Sequence, residues 1–419
     1  MTNRKPRNNR QNRGWYYSLL MMLLIGFGQS AVAQTSLMGL KLSPSSQVSL
    51  ITYGPGNDDI SSSFGHTEIR IVDPTLGLDR DYSYGGFDYR ADYFIIKFLR
   101  GTLPYYLSVH NLYQVMWYYQ QNNRSIREQL LNLSLTQRQE LFMALEKNSL
   151  PENREYRYKF YYDNCATRPR DMIVQACGDS LTIPTRNVKT GKSYRNLMND
   201  YLGEQPWYQL GMNLAIGKAA DEQTDGWLAM YLPNEVHDQF AKSTLRQANG
   251  QVLPLVRSEQ TLFAGQKGFR KQVPFLLDPD VVFTILGVVI AVFTIRRYMV
   301  AGKVDRWLDL VLFGVAGLWG WLGFVMWLIR DDGVTAWNPT LLYLLPFHLP
   351  LIFWATRASA TARRRTTYFS VVSILILLGI FLSRIPGGFD VIFPLTLLIR
   401  CIVNIQMVRR GYHTPAKLA

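Results

Sequence analysis

Cysteine is scarce in this chain of 419 residues, which holds only Cys165, Cys177 and Cys401, the last within an apolar run. If the stretch from Cys165 to Cys177 is helical, a rise of about 1.5 Å per residue puts the two about 18 Å apart. A disulfide needs Cα atoms within about 7 Å, so a disulfide-stapled scaffold is excluded. Acidic residues are also in short supply, 31 against 45 Lys and Arg, for a formal net charge of +14. That excess does not read as a nucleic-acid surface, because it clusters beside apolar runs instead of covering one domain. Histidine is sparse too, five in all, and His110 and His237 read as lone structural side chains.

Mean hydropathy near zero hides two regimes. Residues 1–33 read as a secretory signal: Arg4, Lys5, Arg7, Arg10 and Arg13 precede an apolar core, and Ala31-Val32-Ala33 form a small-residue cleavage motif before Gln34. An uncleaved signal anchor is the alternative and leaves the next domain on the same side. No cysteine follows the apolar core, so the chain does not read as a lipoprotein itself. Residues 34–271 have ordinary polar content and the size of one exported domain. Residues 272–408 carry five apolar segments, about 275–295, 307–329, 341–354, 369–382 and 391–408. The third and fourth are short for the roughly 30 Å of hydrocarbon in a bilayer. Arg296, Arg297, Lys303 and Arg306 fill the first connection, Arg357, Arg363, Arg364 and Arg365 the third, and Arg409, Arg410 and Lys417 the tail, 409–419. Positive charge marks the cytoplasmic side, which places residues 34–271 outside. His348, between Pro346 and Pro350, is an ionisable group at membrane depth, either functional or interfacial.

Within the exported part, Val48 to Tyr53 reads as a strand, and Phe64-Gly65-His66-Thr67-Glu68-Ile69-Arg70-Ile71 as another, opened by a glycine. Asp81 to Tyr84 continues the series. Residues 89–119 are rich in aromatics, readable as core or as a surface that dips into lipid. Thr136-Gln137-Arg138-Gln139 resembles a capping box for a helix with Leu141, Phe142 and Leu145 inward. Tyr156, Tyr158 and Phe160 alternate as one face of a strand, and Met172, Ile173 and Ala176 recur at helical spacing. Cys165 therefore falls at a strand-to-helix junction. Free backbone N–H groups and the helix dipole there favour a thiolate, with Arg168 and Arg170 adding positive charge. A thiolate nucleophile needs a base and a group orienting that base. His66 is the candidate base; the candidate orienting group is Tyr82 or Ser83 on the following strand, of which only one can face it and Ser83 is favoured, or Glu68, two residues along on the same face of His66's own strand.

Ser63-Phe64-Gly65-His66-Thr67, Tyr82-Ser83-Tyr84-Gly85-Gly86-Phe87-Asp88 and Phe160-Tyr161-Tyr162-Asp163-Asn164-Cys165-Ala166-Thr167-Arg168 together resemble the Bacteroidetes lipoprotein N-acyltransferases. The resemblance implies an α+β fold: a circularly permuted NlpC/P60, papain-like periplasmic domain, in which histidine precedes cysteine, followed by a five-helix transmembrane domain. It implies a multi-pass protein of the bacterial inner membrane, without cofactor, metal or nucleic acid. Its catalytic residues would be Cys165, His66 and Ser83, the last where the family leads one to expect an asparagine. Glu68, Tyr84, Asn164, Arg168 and Arg170 would orient the base or bind substrate, the arginines holding a phospholipid phosphate or pairing with Asp163 and Asp171. The donor would be a glycerophospholipid and the acceptor a diacylated lipoprotein. A peptidoglycan amidase or endopeptidase, and a non-catalytic lipid- or lipoprotein-binding scaffold, are the competing readings.

Overall fold

The computed structural model describes residues 37–57, 59–266 and 273–411; the expected signal sequence and most of the expected tail lie outside them. The exported part is built on a sheet of seven strands: β1 Gln47–Tyr53, β2 His66–Asp73, β3 Leu78–Phe87, β4 Pro104–His110, β5 Ile126–Leu131, β6 Glu155–Arg157 and β7 Val256–Phe263. Their order is β7-β5-β1-β2-β3-β4-β6, every neighbouring pair antiparallel. β1 is buried on both faces because both are covered. Val48 and Leu50 point to a core shared with Ile69, Tyr82 and Leu107 and roofed by helices, whereas Ile51 and Tyr53 meet Leu112 and Tyr119 on the other side, as the two-residue alternation of a strand requires.

Three helices intervene between the strands: α1 Phe94–Arg100, α2 Leu112–Gln121 and α3 Leu135–Ser149; α4 Thr167–Cys177 follows β6. Leu141, Phe142 and Leu145 of α3 are fully buried, as their spacing predicts. The capping box starts two residues earlier than expected. Ser134 accepts from the Gln137 backbone and the Gln137 side chain returns to the Ser134 backbone, while Gln139, at the same spacing from Thr136, is taken by the backbone of Leu40 and Leu42. The strand expected to run through Phe160 stops at Arg157. Lys159 and Asp163 exchange backbone hydrogen bonds of 2.8 and 2.9 Å, and this tight bridge lifts the chain off the sheet edge.

Among the described residues four helices are long and apolar enough to cross a membrane: α8 Pro279–Ala301, α9 Arg306–Ile329, α11 Ala362–Leu382 and α12 Phe389–Arg409. Helices α5 Tyr194–Leu202, α6 Pro206–Ala215 and α7 Pro233–Lys242 precede them. The expected third spanning segment is broken into a 3₁₀ turn, Pro339–Leu342, and a helix of nine residues, α10 His348–Thr356. At 1.5 Å per residue α10 covers only about 14 Å. Pro346 stops any continuous helix before it. The segment nonetheless lies antiparallel along α9: a side chain on Gly320 would overlap the Leu344 carbonyl, Gly317 faces His348, and Arg306 reaches Thr356. His348 is buried, with Tyr368 Oη 3.0 Å from Nδ1 and the Tyr343 carbonyl 3.3 Å from Nε2. Both ring nitrogens are satisfied inside the bundle, so its interfacial reading is set aside.

The end of α9 is fastened to the exported domain. Arg157 pairs with Asp331 at 2.6 Å, and the backbones of Gly217 and Lys218 bond to Val334 and Ala336. Gly101, at φ +70°, closes α1 so near Arg330 that a Cβ would sit 3.3 Å from its guanidinium, a conformation and an approach suited to glycine. In the antiparallel register, Arg157 lies opposite Pro104, Tyr105 opposite Phe87, and Tyr53 opposite both His66 and Ile126. These residues form one end of the sheet, the end turned to the apolar helices.

Candidate active site

Cys165 precedes the first turn of α4, and Asn164 builds that junction. Its Oδ1 accepts from the backbone N–H groups of Ala166 and Thr167 at 2.8 and 2.9 Å, and its Nδ2 donates to the carbonyls of Phe160 and Tyr231. Asn164 therefore fixes the thiol's backbone and touches no open space; it is buried. With the next two N–H groups occupied, the Cys165 N–H is the donor left beside the sulfur.

Across from it, His66 begins β2. Gly85, at φ +111°, lies between the two, so that a Cβ there would come 3.5 Å from Cys165 Cβ and 3.8 Å from His66 Cε1. Across Gly85 the Cys165 side chain is faced by the His66 ring. Its Nε2 is taken on the far edge by Ser83 Oγ at 2.8 Å and Glu68 Oε1 at 3.4 Å, which leaves Nδ1 for the sulfur. Both candidate orienting groups thus meet the same nitrogen. Tyr82 turns the other way and donates to Glu146 at 2.6 Å.

Burial works against charge on both partners, and their proximity works for it. Burial lowers the His66 pKa, but the adjacent Cys165 thiolate and Glu68 outweigh it and raise the group to about 9. Burial raises the Cys165 pKa, and His66, helped by the Tyr158 hydroxyl 3.9 Å away, brings it below the ordinary thiol value. The two shifts are opposed and each favours the charged form of its group, the direction a cysteine nucleophile requires.

Glu68 is itself anchored. Tyr53 Oη donates to its Oε2 at 2.8 Å and His110 Nε2 lies 3.2 Å from the same atom. Burial opposes its charge, but the two histidines hold it well below the usual carboxylate range. Next to this group Asp81, opposite His110 in the register, is buried with neither oxygen hydrogen-bonded. Burial and the Glu68 charge push it up to about 8. His110, read as a lone histidine, belongs to this line. Alternate residues of β2, β3 and β4 share a face, so 66, 68, 81, 83 and 110 were placeable together only once the pairing was known.

Three expected site residues do other work. Tyr84 is fully buried away from the thiol, and its hydroxyl accepts from Asn148 at 2.8 Å. Arg168 grips Asp163 with two hydrogen bonds, 2.6 and 2.9 Å, and lies 3.6 Å above the Tyr156 ring. Arg170 bonds Asp171 at 2.7 Å and stacks on Trp227 at 3.8 Å. Each arginine thus has its Nε on a carboxylate and its guanidinium over a ring, the ion pairing that was the alternative to a phosphate contact. Among the described residues no group of three or more His, Cys, Asp or Glu is placed to hold a metal ion.

A run of packed aromatic rings leads from Tyr158, beside the sulfur, to α1. Tyr158 packs on Tyr105 at 4.6 Å between centroids, Tyr105 on Phe87 at 5.0 Å, and Phe87 on Phe94 of α1 at 6.0 Å.

Two family models match the chain. Residues 40–198 match the Lnb N-terminal periplasmic domain and residues 270–411 the Lnb transmembrane domain. Comparison with curated proteins and with solved structures returns no match.

Proposed function

The chain belongs to the Lnb family of lipoprotein-processing membrane proteins, and from that premise we propose that it is an N-acyltransferase of the inner membrane working through a Cys165 thioester. Cys165 thiolate attacks an acyl ester carbonyl of a glycerophospholipid. The developing oxyanion is met by the Cys165 backbone N–H, the one N–H at this helix start that Asn164 does not occupy. Collapse breaks the C–O bond, and His66 gives its proton to the leaving lysophospholipid alkoxide. The α-amine of a diacylglyceryl-cysteine lipoprotein then attacks the thioester. His66 takes the amine proton, an amide forms, and the thiolate is released.

Ser83 and Glu68 hold the far edge of the imidazole, so that the ring faces the sulfur throughout. The buried Glu68 carboxylate stabilises the imidazolium of the resting state; Ser83 supplies the shorter bond. The domain reads as a permuted NlpC/P60 scaffold, and the spanning region as five crossings, the third made by the broken segment along α9.

The observation that carries the reading is the position of the Cys165–His66 pair at the end of the sheet fastened to the apolar helices, where both substrates reside. The ring-lined approach suits an acyl chain better than the polar stem peptide an amidase would take. The test is intact mass of the full chain after incubation with phospholipid. An adduct of one acyl chain, removed by hydroxylamine and missing in Cys165→Ala, supports the thioester; turnover that persists in Cys165→Ala overturns it.

A further inference from the structure

Helix α1 carries a face for which the domain core has no use. None of its residues is buried; Tyr93, just before it, is 76 % exposed, Ile95 70 % and Ile96 55 %. Phe98 is exposed as well, and Lys97 and Arg100 fall in the last turn. Apolar side chains of this size, interleaved with cations on so short a helix, make the composition of an interfacial element: rings and aliphatic groups below the headgroups, ammonium and guanidinium among the phosphates. Placement agrees with composition. Gly101 closes α1 against Arg330, the residue following α9, so α1 stands where a spanning helix leaves the bilayer. Tyr105 lies close enough to both Arg330 and Cys165 for each to act on its hydroxyl.

Resting on the acyltransferase reading, we propose that α1 beds in the outer leaflet of the bilayer and is the entry by which the donor's acyl chain reaches the thiol. The ring series Phe94, Phe87, Tyr105 and Tyr158 forms the wall along which that chain lies. The occupant is the lipid surface itself. The exposed face of α1 offers few polar groups with which a folded protein partner could be specified, and α1 is continuous with the point where the exported domain meets the apolar helices. The C-terminal part of α2 adds Trp117, 68 % exposed, and Tyr118. The loop after α2 is tied to the segment approaching α8 by paired bonds between Asn123 and Gln266, 2.9 and 2.7 Å. Aromatic rings at both elements match the belt that proteins place at a membrane–water boundary.

The test uses the full chain, as Cys165→Ala to prevent turnover, in phosphatidylethanolamine–phosphatidylglycerol nanodiscs. The discs contain a phospholipid bearing a diazirine midway along one acyl chain, and cross-linked peptides are mapped by mass spectrometry. The expected result is cross-links at Phe87, Tyr105 and residues 93–98 as well as on the spanning helices. Cross-links confined to the spanning helices overturn the inference. In a second arm, Ile95→Asp with Ile96→Asp should lower cross-linking at Phe87 and Tyr105 by about tenfold or more while leaving that at Pro279–Ala301 unchanged; no change in either overturns it. Failure of the parent reading looks different. If cross-links appear on α1 but the unmutated chain forms no acyl adduct, the lipid-facing surface stands and its service to acyl transfer falls.

Discussion

The Nε2 atom of His66 lies 2.8 Å from Ser83 Oγ, at the position where the family resemblance leads one to expect an asparagine. A hydroxyl accepts one hydrogen bond there but brings no charge. The charge comes from Glu68, 3.4 Å from the same nitrogen. Removing the neutral partner should therefore cost less than neutralising the charged one. Ser83→Ala is expected to lower kcat/KM for acyl transfer by up to about tenfold, the worth of one ordinary hydrogen bond. Glu68→Gln is expected to lower it by about a hundredfold, in the range for disabled acid–base catalysis, and Ser83→Asn should retain most activity. An equal loss in Ser83→Ala and Glu68→Gln would refute this division of labour.

The opposed shifts of Cys165 and His66 predict the pH dependence of Cys165 chemistry. Alkylation by iodoacetamide at about pH 7 should be fast, because an ordinary thiol with a pKa of about 8.5 is mostly protonated there. The histidine charge persists until pH rises through about 9. His66→Ala should move the alkylation inflection up toward the ordinary thiol value. Tyr158→Phe should move it in the same direction by a smaller amount, having lost a donor 3.9 Å from the sulfur. An inflection unchanged in both variants would contradict the assignment.

Asp81 carries a stability prediction with a definite sign. Its pKa is raised to about 8 by burial and by Glu68, so the folded state holds a proton that the unfolded chain releases near pH 4. Stability is lost as pH rises between those values and the loss is complete above about 8. Asp81→Asn never ionises. Its thermal midpoint relative to the unmutated chain in detergent should rise steadily from about pH 4 to about pH 8; a gain independent of pH would show that Asp81 is charged in the fold.

Asn164→Ala tests the junction. It strands the N–H groups of Ala166 and Thr167 in a buried site. A loss of about 1–2 kcal/mol is expected from the missing cap, measured by denaturant unfolding. Alkylation of Cys165 should slow as well, and a stable variant with unaltered alkylation would show that the cap does not position the thiol.

Much of the site was readable from residue types because its parts are local. Cys165 had a strand-like run before it and helical spacing after it. His66 opened a strand behind a glycine. Ser83 and Glu68 were both in view, but choosing between them needed the register that sets Glu68 opposite Ser83. His110 could not be found that way, since it is 42 residues from the Glu68 it serves. For Arg168 and Arg170 the residue types left phosphate binding and ion pairing both open; in the fold a carboxylate five residues back in one case and adjacent in the other pairs with them. Tyr158 was assigned to a regular strand face because alternation continues past Arg157. The Lys159–Asp163 bridge ended the strand and turned the hydroxyl to the sulfur. In the apolar region, hydropathy located the four long helices but could not show that two prolines around His348 would leave the expected third segment as a turn and a half-length helix.

The most direct test of acyl transfer by Cys165 and His66 is the intact mass of a reporter lipoprotein from cells lacking their own N-acyltransferase. The cells would express this chain, its Cys165→Ala variant or its His66→Ala variant. The predicted result is a gain of one acyl chain on the reporter's N-terminal amine with the unmutated chain and with neither variant. A reporter left diacylated by a correctly inserted unmutated chain, or acylated equally by Cys165→Ala, would contradict the account.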